Sequence, residues 1–133
     1  MATDTTTAPP LSSSSADFSA NGFSLHVTVY IAPEDVPKFM EAYKPVFDMV
    51  IGEPECVFFE VYQSPEDPGT ISWVENWTAS VEWFMKEQLP KECFKTYLAV
   101  TEPMYLKPRE ANILHRMGRD WLAIKDKQYP SGV

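Results

Sequence analysis

Two stretches, Val57-Phe58-Phe59-Glu60-Val61-Tyr62 and Thr70-Ile71-Ser72-Trp73-Val74-Glu75-Asn76-Trp77, are separated by Ser64-Pro65-Glu66-Asp67-Pro68-Gly69. The flanks are rich in β-branched and aromatic residues. The middle is turn chemistry at almost every position. A connection this short makes the two strands antiparallel neighbours. Ile71, Trp73, Glu75 and Trp77 share one face of the second strand, and Val74 and Asn76 point the other way.

Working outward, Phe23 to Ile31 alternates with period two. Leu25, Val27, Val29 and Ile31 lie on one side; His26, Thr28 and Tyr30 lie on the other. Val36, Phe39, Met40, Tyr43, Phe47 and Val50 then recur along one face of a helix. Pro33, Glu34 and Asp35 suit its first turn, Pro45 is expected to kink it, and Gly52 ends it. After the hairpin, Thr78 or Ser80 caps a second helix with the stripe Val81, Phe84, Met85 and Leu89. Pro90 breaks that helix. A further helical piece carries Phe94, Tyr97, Leu98 and Thr101. A last strand is expected over Ala111 to Met117. The order is β-α-β-β-α-β, an α+β, ferredoxin-like arrangement with an antiparallel sheet.

The ends read differently. Residues 1–21 are Thr, Ser, Ala and Pro and are expected to be a disordered tail, because they cannot bury enough apolar surface to offset ordering entropy. The folded domain spans 22–117, and 118–133 is a C-terminal extension with one short helix around Trp121, Leu122 and Ile124. The first basic residue is Lys38, so neither a signal peptide nor a mitochondrial presequence is expected. The expected compartment is the cytoplasm, with Cys56 and Cys93 as reduced, buried thiols.

Composition narrows the function. The chain of 133 residues has 11 basic and 19 acidic residues, a net charge of −8. That argues against nucleic-acid and anionic-membrane binding, which need basic patches. No apolar run is long enough to span a membrane. There is no Gly-rich phosphate loop, no C-x-x-C and no H-E-x-x-H, so no metal and no cofactor is expected. Aromatics make up 14% of the chain and fall on both faces of the strands. Two helices can cover one face of a four-stranded sheet. The second apolar face predicts a homodimer packed sheet on sheet.

Five segments carry a family resemblance: Gly52-Glu53-Pro54-Glu55-Cys56, Phe59-Glu60-Val61, Asp67-Pro68-Gly69, Glu75-Asn76-Trp77 and Phe94-Lys95-Thr96-Tyr97. In order and spacing they resemble the antibiotic biosynthesis monooxygenases, small proteins that form dimeric α+β barrels. The resemblance runs from about Phe23 to Met117. It implies cofactor-independent oxidation of an electron-rich aromatic, such as an anthrone, a hydroquinone or a polyketide-like substrate, by O2. The sequence departs from the family in places. Glu55 stands where Gly is common. Lys86 stands nine residues after the motif Trp, where many members have His and haem-degrading relatives have Trp. Leu98 stands where those relatives have a His after their F-K segment.

Several residues are candidates for that chemistry. His26 is favoured as the base, since an imidazole accepts a proton near neutrality and the family's first strand carries a polar active-site residue at about this position. His115 is its competitor, though Arg116 and Arg119 beside it suit a surface role. Trp77 would wall the pocket or pack the core. Asn76 and Tyr30 could bind a phenolic oxygen, but Asn76 and Trp77 cannot line one pocket without a bulge. Tyr43 and Tyr97 sit on inward helix stripes, and Lys86 could meet an anionic substrate. Glu75, if buried, must be hydrogen-bonded or protonated. It is read as a dimer-interface pairing group more than as an alternative base. A non-oxidative cyclase, isomerase or lyase, or a non-catalytic stress or binding protein, would suit the same scaffold.

Overall fold

The computed structural model describes residues 17–125. Four strands form one antiparallel sheet: β1 (Phe23–Tyr30), β2 (Cys56–Gln63), β3 (Thr70–Trp77) and β4 (Glu110–His115). Their order across the sheet is β2-β3-β1-β4. Helix α1 (Val36–Ile51) joins β1 to β2. A broken helical segment joins β3 to β4: α2 (Val81–Trp83), a π-helical turn (Phe84–Gln88) and α3 (Glu92–Thr101). This is the ferredoxin-like arrangement that the hydrophobic pattern predicts.

Local chemistry explains the joints. Gly22 has a φ of +86°, and a Cβ there would lie 2.1 Å from the Trp77 carbonyl oxygen, so only glycine lets β1 start against the end of β3. Pro33–Asp35 forms a 3₁₀ turn that leads into α1. Helix α1 continues through Pro45, which lies on its exposed side. The Ser80 hydroxyl caps α2 by accepting from the Trp83 amide at 3.0 Å. Lys91 pairs with Glu53 and ties the break after Pro90 back to the end of α1.

Both helical layers cover one face of the sheet. Phe23, Val27, Val29, Ile71, Trp73 and Trp77 from the strands pack against Phe39, Tyr43, Val46, Val50, Phe84 and Tyr97 from the helices. Val46 joins this buried set, whereas Phe47 packs from the side on Phe59, with ring centroids 4.8 Å apart. The opposite face carries His26, Tyr30, Val74, Asn76 and Phe58; among the described residues no helical layer covers it, and the C-terminal segment from Arg116 to Lys125 borders it beside Phe58, Asn76 and Ser24. A bulge between Cys56 and Phe58 sets β2 so that Cys56 pairs with Trp77 and Phe58 with Asn76.

The ends depart from the expected pattern. Residues 1–16 of the expected disordered tail lie outside the described residues, and Ser19–Asn21 forms a 3₁₀ turn against β1. At the other end residues 126–133 lie outside the described residues; among the described ones after Met117 only Arg119–Trp121 is helical, again as a 3₁₀ turn, and Leu122 leaves it in extended conformation. No helix among the described residues is long and apolar enough to cross a membrane.

Candidate functional site

A cavity of about 360 Å³ lies between the sheet and the broken helix. Its size falls within the range of small-molecule pockets. The floor comes from odd-numbered strand residues: Leu25 and Val27 of β1, Trp73 and Glu75 of β3, and Ala111 and Ile113 of β4. The register explains the set, since Leu25 pairs with both Glu75 and Ile113, and paired residues point to one side. Tyr43 closes the α1 side. Phe84, Met85 and Leu89 come from the π turn and its end, Phe94, Tyr97 and Leu98 from the α3 segment, and Arg109 stands at the rim. The π turn matters here. Its extra residue per turn is a common device at functional sites.

Glu75 is the one carboxylate in this apolar lining, and only 6% of it is exposed. The indole N–H of Trp73 donates to its Oε2 and that of Trp77 to its Oε1, each at 3.0 Å. Burial pushes its carboxyl from an ordinary 4.5 up to about 7, although the two donors pull the other way. Glu75 therefore titrates close to neutrality in an apolar cavity. Burial also raises the Tyr43 phenol well above its ordinary value, and the Glu75 charge adds to that effect. The Tyr97 phenol is raised first by burial and then by Tyr105 beside it. Both phenols stay protonated at neutral pH. The Tyr97 and Tyr105 hydroxyls are both buried and lie beside each other, and neither makes a hydrogen bond of ordinary geometry among the described residues.

The sheet divides the residues expected to share a pocket. Tyr43 and Tyr97 line the cavity. Trp77 is fully buried behind Glu75, so it touches the cavity's carboxylate and not its space. His26, Tyr30 and Asn76 point from the opposite face, because they occupy the even positions of β1 and β3. There His26 Nε2 meets Ser24 Oγ at 2.9 Å, and the Tyr30 hydroxyl donates to Glu110 at 2.7 Å under the Lys107 ammonium. His115 pairs with Phe23 and borders a separate cleft with Ser80 and Glu82. Lys86 is exposed on the outside of the π turn. Among the described residues no single pocket holds all eight.

Glu75, read from the sequence more as an interface pairing group than as a base, lies on the helix-covered face and lines the cavity. The signal lay in Trp73-x-Glu75-x-Trp77, which places a donor-only indole on each side of a strand carboxylate. Among the described residues no three His, Cys, Asp or Glu side chains come together as a metal ion would require.

Comparison with known proteins agrees with the fold and the motifs. The protein named "Putative monooxygenase GME11364" from Pestalotiopsis microspora is 35% identical over 107 residues, 80% of this chain and 89% of that protein. Among solved structures, a "putative antibiotic biosynthesis monooxygenase" from Nitrosomonas europaea superposes with a TM-score of 0.68, at 18% identity, over 76% of this chain and 95% of that one. A conserved protein from Methanosarcina mazei Go1 superposes with a TM-score of 0.65, at 23% identity, over 74% of this chain and 95% of that one. At these identities the structures speak for the fold. The sequence model of the antibiotic biosynthesis monooxygenases matches residues 22–86, the stretch that holds Glu75 and both flanking indoles. The motifs from Gly52 to Trp77, the sheet order and the extent of the fungal relative's likeness agree, and the chain belongs to the antibiotic biosynthesis monooxygenase family.

Proposed function

We propose that this protein is a cofactor-independent monooxygenase that oxidises an electron-rich aromatic, of the anthrone or hydroquinone type, with O2. The observation that carries the reading is Glu75: a buried carboxylate, titrating near neutrality, at the floor of an aromatic-walled cavity. It replaces His26 and His115 as the base, since neither histidine reaches that cavity.

For an anthrone the chemistry balances with protein side chains alone. Glu75 takes a proton from the activated methylene carbon. The resulting anion passes one electron to O2, and the radical pair joins as a new C–O bond. The peroxide anion takes the proton back from Glu75. The O–O bond then breaks, water leaves with the second methylene hydrogen, and a carbonyl remains. Tyr97 and, at the rim, Arg109 are the donors for the ring oxygen that gains charge. The apolar walls keep water from quenching the anion.

Oxygen uptake with a panel of anthrones and hydroquinones, in metal-free buffer, tests the reading. Incorporation of one atom from ¹⁸O₂ into the product is expected, with a loss of about 100-fold or more in Glu75→Gln. No uptake across the panel would overturn it. The reading includes a homodimer formed through the sheet face opposite the helices. Sedimentation should give twice the chain mass, and Phe58→Asp should lower it.

A further inference from the structure

Trp73, Glu75 and Trp77 occupy alternate positions of β3 and so stand in one row on the covered face. The two indoles reach Glu75 from opposite ends of the row, each donating to a different carboxylate oxygen at 3.0 Å. Neither indole is free to move. Trp77 is fully enclosed, stacks on Phe23 and meets Phe84 edge-on at 5.2 Å. Trp73 is 4% exposed and its ring lies 4.6 Å from that of Tyr43.

We propose that Trp73 and Trp77 are positioning residues that clamp Glu75 with neutral donors and direct its acidic proton into the cavity. This rests on Glu75 being the base. An Arg or Lys partner would hold the carboxylate as a fixed ion pair and keep it from accepting a proton. Indoles carry no charge, so Glu75 can change protonation state without leaving its place. An indole N–H also cannot accept a hydrogen bond. When Glu75 is protonated, neither flank can receive its O–H, and the remaining direction is the cavity that Glu75 lines. The clamp thus explains why one group can both take a proton from a ligand and hand it back.

The test reads protonation directly and does not need turnover. In ¹⁵N-labelled unaltered protein, the indole N–H resonances of Trp73 and Trp77 are expected to shift together, with one midpoint near neutral pH. The same midpoint is expected for the ¹³C-labelled Glu75 carboxyl, assigned by its loss in Glu75→Gln. Trp73→Phe and Trp77→Phe should each raise the carboxyl midpoint by about one pH unit or more. In a turnover assay the acid limb of kcat/KM should move by the same amount. Indole resonances flat through the Glu75 titration would overturn the clamp. So would a carboxyl midpoint unchanged in either folded Trp variant. If both titrate as expected and no substrate consumes O2, the clamp stands and the oxygenase reading fails.

Discussion

The two faces of this sheet are built from the same strands, one residue apart, and they differ in almost everything else. On the covered face a carboxylate sits among aromatic rings with both oxygens bonded to indoles. On the opposite face a histidine, an asparagine and a tyrosine sit half-buried; the histidine meets a serine hydroxyl, the tyrosine donates to a carboxylate, and the asparagine oxygen has no partner among the described residues. Residue type alone would favour the histidine as the proton acceptor. Environment reverses that order: burial carries Glu75 to about 7, where a carboxylate can act as a base at neutral pH.

That contrast can be broken at its strongest point first. Trp77→Ala removes a fully buried ring and one of Glu75's two donors. A loss of about 3–5 kcal/mol in urea denaturation is expected. A loss below 1 kcal/mol would mean that the covered face does not depend on this residue. A pH series comes next. The unfolded chain ionises Glu75 above about 4.5, whereas the folded chain holds that proton until about 7. Between those values the folded state binds the extra proton, so stability falls as pH rises and levels off above 7. The shift corresponds to about 3 kcal/mol in total. Glu75→Gln should lack that slope when the two are compared from pH 4 to 8. The smallest effect belongs to the opposite face. His26→Ala should change turnover within about twofold, and stability by about 1 kcal/mol or less. A 100-fold loss of turnover with normal stability would return the base to His26.

The row Ile71-Trp73-Glu75-Trp77 was legible in the sequence, because strand parity alone aligns it. The side of the sheet it faces was not. Parity fixes relative faces, and large apolar residues occur on both: Phe58 and Val74 on one, Phe59 and Trp73 on the other. Burial of the odd positions is decided by where the helices land. The stripe of α1 was legible from Phe39, Tyr43 and Val50, while Val46 fell outside the counted spacing. The break at Pro90 was legible as well. The π turn before it was not, because π geometry has no residue signature. The family motifs located Glu75 and Trp77 without revealing that they bond to each other.

One wall of the cavity is a single edge strand. β4 pairs with β1 alone, all six of its residues are exposed, and two of them, Ala111 and Ile113, line the cavity. Edge strands open at lower free energy than a sheet's centre. Amides of β4 should therefore exchange hydrogen with solvent sooner than those of β1 and β3, and the interior that protects Glu75 is only as long-lived as that strand's hold on its neighbour.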